Sequence, residues 1–345
     1  MAGKQSMDIN GESQVEWLLR QLRGSSAMGE ILVIKKLRTF FGLVLRGDFA
    51  LIATRARLFV RSRQLRKARG PFVYTYGPDR LVCDPSVPDS RSCFLEKPSD
   101  EHERELFRLW LEEGDLVIDA GANTGLFTVV ACDHVGAKGL VVAIEPTPHL
   151  ARMITQNASL LGHSQATVLE AALGKEAGRA KFAFAASDET AVSQSLAFGE
   201  LPEGTASVRE VEVVSLRDAV SGPNHEPALV KLDVEGVEHQ ALLGCPDGWR
   251  TKNGPLWVIE CHPEALGRFG TSPEEIYALF PESDFTCFVI GKYAGAYSTD
   301  LPPTRLSRDQ RPPASFWNLV AVPLGAKWTT RRARVRRSAA FASVL

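Results

Sequence analysis

The chain has 345 residues, a formal charge of −1 and an apolar fraction of 44%, enough for one large domain with additions or for two small ones. No apolar stretch reaches the roughly 20 residues of a membrane span, and the first residues, MAGKQSMDINGESQVEW, lack the apolar core of a secretory signal. Six cysteines, none in a C-x-x-C pair, read as free thiols of a reducing cytoplasm, with a Cys83–Cys93 bridge as the alternative.

Charge divides the chain. Residues 1–70 carry 14 Lys/Arg and 5 Asp/Glu, a net +9, and Lys327 to Arg337 add six basic residues and no acid. The stretch between them, 71–326, therefore carries −16. An acidic globular body is expected between a basic helical extension, 1–70, and a basic C-terminal tail, 327–345.

Taken in chain order, residues 15–69 read as helices broken by Gly24, Gly29, Gly42 and Gly47, with apolar residues at three- and four-residue steps and Arg and Lys between them. They predict either a solvated helical extension or an amphipathic surface for an anionic membrane or a protein partner. Nucleic acid is not an expected partner, because the basic residues come without a recognisable module. PFVYTYGPDRLVCDP predicts a hairpin turning at Gly-Pro-Asp. Ser99 to Glu112 predicts a helix capped by Ser99, with Leu106, Leu109, Trp110 and Phe107 inward. Glu103 reads as a helix-start charge or a group reaching toward a ligand.

From Asp115 the pattern alternates. LVIDAG, GLVVAIEP, ATVLEAALG, ALVKLDVEG and PLWVIECHP read as strands, with helices at GLFTVVACDHV, HLARMITQNASLLG and VEHQALLG. AKFAFA and REVEVVSL are further β segments around a loose loop, 187–207. A helix at Ser272–Leu279 precedes DFTCFVIG and FWNLVAVP, two strands that can pair antiparallel at an edge. The fold class is α/β: a Rossmann-like, doubly wound, mostly parallel sheet over 71–326. His134, His149 and His163 fall on helices or their ends and are expected to be exposed. Trp249, Trp257 and Trp317 are expected in the core.

The chemistry concentrates where strands end. In LVIDAGANTGLFTVVA an apolar strand closes on Asp119. Gly121 and Gly125 then remove side chains where a ligand must approach the backbone. Dinucleotide sites favour G-x-G-x-x-G around a pyrophosphate. Here the spacing is G-x-x-x-G, and Asp119 would repel a pyrophosphate but favour a cation. That preference leans to S-adenosylmethionine, with its sulfonium and ammonium. Glu145, closing the second strand, suits a pair of ribose hydroxyls. Ala171, Ala172 and Leu173 at the third strand end suit a flat adenine. Asn123 either bonds the ligand carboxylate or simply tolerates left-handed backbone.

Asp233 and Glu235 end the ALVKLDVEG strand, and Glu260 and His262 share a face at the end of PLWVIECHP. These four are the candidate catalytic residues, since transfer of a sulfonium's methyl group needs an oriented acceptor and, where the acceptor carries a proton, a group to take it. Asp233 either meets the methionine part of the cofactor or the acceptor. Glu235 is a base or the cap of the next helix, and His262 a base or a satisfied turn histidine. The four could also hold Mg²⁺ or Mn²⁺, but their spacing is not compact and no metal is expected. Lys231 reads as the partner of an acid.

The pieces D-A-G-A-N-T-G (119–125), A-I-E-P-T-P (143–148), E-A-A-L-G (170–174), K-L-D-V-E-G-V-E (231–238) and I-E-C-H (259–262) together resemble the FkbM family of S-adenosylmethionine-dependent methyltransferases, from about Glu101 to Pro323. With Ala122 and Pro146 inside the matching pieces, the cofactor-binding set becomes Asp119, Gly121, Ala122, Asn123, Gly125, Glu145, Pro146, Ala172 and Asp233. The resemblance implies O-methylation of a hydroxyl on a sugar, glycan or natural product. Two alternatives stand beside it: a nicotinamide-dependent oxidoreductase, and an inactive methyltransferase fold that binds partners through its basic helices.

Overall fold

The computed structural model describes residues 49–95, 100–185, 195–196, 205–220, 226–291, 301–307 and 317–345. The helices anticipated before residue 49, Ser99, and most of the loose loop 187–207 lie outside these residues. The chain divides into two compact units, Met1–Lys67 and Ala68–Leu345. Of the first, helix α1 (Phe49–Lys67) is described. It carries six basic residues and no acid. Its apolar residues are spread around the helix and not gathered on one face, so α1 lacks the amphipathic stripe expected of it. No helix among the described residues is long and apolar enough to cross a membrane.

The second unit opens with the antiparallel hairpin of β1 (Phe72–Tyr76) and β2 (Asp79–Cys83), followed by α2 (Pro88–Leu95) and α3 (Glu101–Trp110). Asp79, expected in the turn, is the first residue of β2. It is buried, and it accepts hydrogen bonds from Arg104 and, at 2.8 and 3.0 Å, from Arg108. The hairpin is thereby anchored to α3 by a charge-assisted cluster. The N-cap of α3 is Asp100 and not Ser99. Asp100 has left-handed backbone and makes no side-chain capping bond. Leu106, Phe107 and Trp110 face inward as expected, while Leu109 is half-buried.

An eight-stranded sheet forms the frame. In chain order its strands are β3 (Leu116–Ala120), β4 (Leu140–Ile144), β5 (Ala166–Leu169), β10 (Leu229–Leu232), β11 (Leu256–Cys261), β12 (Phe285–Gly291), β13 (Thr304–Arg305) and β14 (Trp317–Pro323). In space the order is β13-β12-β14-β11-β10-β3-β4-β5. Strands β5, β4, β3, β10 and β11 are parallel. Strand β14 runs antiparallel between β11 and β12. The antiparallel pairing of the last two long strands is as expected, but β14 lies inside the sheet and β13 takes the edge.

Helices α4 (Leu126–Val135) and α5 (Pro148–Leu161) make the crossovers β3–β4 and β4–β5. Alternation along the strands sets two faces. Leu116, Ile118 and Ala120 of β3 join Val230, Leu232, Trp257 and Ile259 in the main core. Asp119 and Lys231, in register across β3 and β10, point to the other face, where Phe127 and Thr128 of α4 lie. Trp249, Trp257 and Trp317 are core residues. All six cysteines are free. His163 is not exposed: its side chain keeps 8% of its surface and lies 3.3 Å from Asp133, while His134 and His149 are half-buried.

ATVLEAALG is two strands and not one. After β5 the chain bends at Glu170–Ala171. Strand β6 (Ala172–Gly174) leaves the main sheet to pair with β9 (Thr205–Ser215), which also pairs with β7 (Gly178–Ala185). With β8 (Ser195–Leu196) these make a second, four-stranded sheet. The expected loop after β7 is shorter than drawn, because β9 begins at Thr205. Short helices α6 (Glu238–Leu243), α7 (Pro263–Arg268) and α8 (Pro273–Ala278) follow. Ser272 and Glu275 form a reciprocal capping box on α8.

The arginine-rich C-terminal segment is helix α9 (Thr329–Arg337), docked on the N-terminal end of the sheet. Arg331 donates to both oxygens of Asp115, at 2.5 and 3.0 Å, and to Glu112 at 3.1 Å. Arg334 also bonds Glu112. Val335, Phe341 and Val344 are buried. Arg331→Ala is expected to lower unfolding free energy by about 2 kcal/mol, because it strips a half-buried bidentate pair, and to lower Tm by roughly 4–8 °C. Arg336→Ala, on the exposed side of α9, should leave the melting curve unchanged; thermal denaturation of the two variants side by side tests this.

Candidate functional site

The order of strands reverses between β3 and β10: the chain winds outward through β4 and β5 and returns to the far side of β3. Ligands of open α/β sheets bind at such a switch point, beyond the carboxyl ends of the strands. An open crevice lies there. Its walls include Gly121 and Asn123 after β3, Glu145 and Pro146 after β4, Ala171, Ala172 and Leu173 at the β5–β6 bend, and Asp233, Val234 and Glu235 after β10.

The glycine turn is fixed by close backbone approach. Gly121 has φ +74°, and a Cβ built on it would lie 1.7 Å from the carbonyl oxygen of Asp233. No L-residue fits. The amides of Gly121 and Ala122 donate to the Ile144 carbonyl at 2.9 and 3.1 Å. Ala122 itself is buried, packing with Ala143 and Ile154. Asn123 has φ +52°, and its Oδ1 is buried on the crevice wall without a hydrogen-bond partner. Gly125, at φ +85°, is the N-cap of α4.

Glu145 ties two turns together. Its Oε2 accepts from the Asn123 amide and its Oε1 from the Thr147 amide, both at 2.9 Å. Burial nevertheless pushes its carboxyl up to about 7, against the opposing pull of those amides. Asp119 is fully buried behind the turn and does not line the crevice. It accepts from the Thr128 hydroxyl at 2.6 Å, and burial raises its pKa against the pull of Lys231. Asp119 thus supports the turn from beneath.

The second acidic corner follows β10. Asp233 lines the crevice, its side chain 31% exposed, and accepts from Lys231 Nζ at 2.7 Å. Glu235 also lines it, in left-handed backbone at φ +56°. Burial first, and then the negative charge of Asp233, push Glu235 up to about 7. Glu235 does not cap α6. Glu238, unremarked in the sequence, closes that loop: its carboxylate accepts from the amides of Val234 at 2.9 Å and Gly236 at 3.0 Å. It is itself raised to about 7 by burial. The sequence signal was an acid three residues past Glu235 at a helix start, where amides lack partners.

Glu260 and His262 are not among the crevice-lining residues. Glu260 is buried at the end of β11, in register with Asn318. His262 is the N-cap of α7, its Nδ1 accepting from the Ala265 amide at 3.2 Å. Among the described residues, no three of His, Cys, Asp and Glu gather as metal ligands. Phe182 of β7 and Leu150 of α5 also line the crevice; neither is marked by a local pattern, since they arrive from a second sheet and a helix face.

These features fit S-adenosylmethionine. The glycine turn is open to a ligand and closed to any Cβ. A carboxylate stands at the second strand end, small apolar residues at the third, and acids at the fourth for a cation. Comparison with known proteins agrees. Residues 119–287 match the model of the methyltransferase FkbM domain. A hexuronic acid methyltransferase, AglP, of Haloferax volcanii is 25% identical over 211 residues, 60% of this chain and 74% of that protein. Protein-L-isoaspartate O-methyltransferase 1 of Archaeoglobus fulgidus is 37% identical over 68 residues, 19% of this chain and 32% of that protein. Among solved structures, an S-adenosylmethionine-dependent O-methyltransferase of Thermotoga maritima aligns over 73% of this chain and 77% of its own, at 13% identity and a TM-score of 0.36. Residues 119–287 thus carry the FkbM domain of S-adenosylmethionine-dependent methyltransferases.

Proposed function

We propose that the unit from Ala68 onward O-methylates a hydroxyl of a sugar, glycan or natural product, at the crevice over the glycine turn. The observation that carries this reading is the meeting of a backbone-lined turn and two acids of different character, Asp233 and Glu235, on one crevice. Bound there, S-adenosylmethionine supplies a methyl group made electrophilic by its sulfonium. The chain's own residues bind, orient and take up a proton. Gly121 and Asn123 give the ligand its backbone floor, with Ala122 and Gly125 completing the turn behind it. Glu145 offers the ribose an anionic acceptor already aimed by two amides, with Pro146 beside it and Ala172 on the adenine side. Asp233 faces the cationic methionine end.

Glu235 best suits the acceptor hydroxyl's proton. It lines the crevice, and burial together with the charge of Asp233 brings its carboxyl near 7, where a general base works at neutral pH. Asp233 is already engaged by the Lys231 ammonium at 2.7 Å. Glu260 and His262 are the remaining candidates, reached only if the acceptor extends past β11. The AglP relative, named as acting on a hexuronic acid, supports a sugar acceptor. The basic charge of α1 supports a peripheral contact of the preceding unit with anionic membrane or a protein partner, at the cytoplasmic side.

Incubation with methyl-labelled cofactor and a panel of sugars, uronic acids and a fractionated extract should yield a labelled methyl ether, read by mass analysis; label on nitrogen or carbon would reject O-methylation. Calorimetric titration with S-adenosylhomocysteine tests the crevice, and a flat titration would favour an inactive scaffold. Gly121→Ala already places a methyl against the Asp233 carbonyl and should abolish binding; retained affinity would put the cofactor elsewhere.

The pKa of Glu145 gives a pH dependence. Its folded value, about 7, lies above the ordinary 4.5, so its contribution to folding favours the protonated form and weakens as pH rises between those values. Ribose hydroxyls favour the anion. Affinity for S-adenosylhomocysteine should therefore fall below pH 7, by up to about tenfold per unit, and Glu145→Gln should flatten that slope. An unchanged slope in the variant would clear Glu145 of the effect.

A further inference from the structure

A lysine in the middle of a fully buried strand needs an explanation, because an ammonium taken from water is costly unless paired. Lys231 is that residue. Every position of β10 is buried, and the Lys231 side chain keeps 5% of its surface. Its Nζ lies 2.7 Å from Asp233 Oδ2 and over the ring of Phe127, 4.8 Å from its centroid. Asp119 stands beside it in register on β3, and Glu260 adds negative charge from β11.

The two members of the pair differ in setting. Lys231 and Asp233 are two residues apart on one strand face, so the sealed ammonium lies directly below the carboxylate that reaches the crevice. Around them stand Asp119 from β3, Glu260 from β11, Glu235 and Glu238 from the loop after β10, and Arg268 from α7, which faces Glu235. In so acidic a corner an unsupported carboxylate would share protons with its neighbours and turn freely. A fixed cation at 2.7 Å prevents both.

We infer that Lys231 is a positioning residue, holding Asp233 as a directed anion on the crevice wall for the ammonium group at the amino-acid end of the cofactor. This rests on the reading of the crevice as the cofactor site. The competing role is structural: a counter-charge that lets Asp119 be buried. Asp119 has the Thr128 hydroxyl at 2.6 Å as well, so the two roles separate by mutation.

The test is calorimetry with two ligands: S-adenosylhomocysteine, and 5′-methylthioadenosine, which carries the same nucleoside without the amino-acid end. Because Lys231→Met alone would leave two buried acids and can fail to fold, it is made in an Asp119→Asn background. There it should weaken S-adenosylhomocysteine about tenfold, the scale of a hydrogen bond to a charged group, and leave methylthioadenosine unchanged. Adding Asp233→Asn should cost nothing further, since both changes remove one interaction. Equal weakening of both ligands, a lower Tm with neither affinity moved, or additive losses with Asp233→Asn would overturn the positioning role. Wild-type protein that binds neither ligand would overturn the cofactor reading instead, a result distinguishable from the first three.

Discussion

Two strand ends touch backbone to backbone at the centre of this domain. Gly121, leaving β3, lies so close to Asp233, leaving β10, that no side chain can stand between them. The Asp233 amide donates to the Ala120 carbonyl at 3.0 Å, the last rung of the ladder that joins β3 to β10. Everything in the crevice follows from that rung. It sets the width of the gap at the switch point, turns Asn123 inward toward Glu145, and brings the loop carrying Glu235 beside the loop carrying the glycines. A wider spacing would separate the backbone floor from the acids.

Around this contact the domain spends buried carboxylates on shape. Asp79 holds the hairpin to α3, Glu145 joins the turns after β3 and β4, and Glu238 closes the loop after β10. Glu145 and Glu238 satisfy backbone amides that helix starts and turns leave without partners. The same burial raises their pKa values, so the scaffold of the crevice is acidic and only partly ionised near neutrality. An enzyme built this way keeps its loops rigid without filling the space a ligand needs.

The sequence shows the main sheet clearly because its strands are apolar runs ended by glycine or proline, and the helices between them carry a 3.6-residue period. The glycine turn, Glu145 and Asp233 are legible for the same reason: each is a polar residue at the end of an apolar run. What it hides is decided at long range. Nothing in ATVLEAALG marks a break after Leu169, since every residue there tolerates a strand; the division is made by β9, about 40 residues on, which captures β6. The arginines from 331 onward read only as a basic tail until Glu112 and Asp115, more than 200 positions away, are seen to hold Arg331 and Arg334. Glu235 reads as a cap of the next helix, yet with its backbone at φ +56° it lines the crevice, and Glu238 takes the amides.

The acids also bear on which ligand the crevice prefers. Asp233, Glu235 and Glu145 line it, while Lys231 is sealed below and already neutralises Asp233, and Arg268 faces Glu235 from α7. The remaining field is negative, and in a site shielded from water such a field is weakly screened. A pyrophosphate entering here would meet Glu145 on one wall and Glu235 on the other, with no basic side chain among the described lining residues to receive it. A cation meets the reverse: it is drawn in, and by its presence it favours the ionised forms of carboxyls that burial has pushed up. The same charge therefore argues against a nicotinamide dinucleotide and for a sulfonium. It does so from the walls of the crevice, independently of the spacing of glycines in the turn.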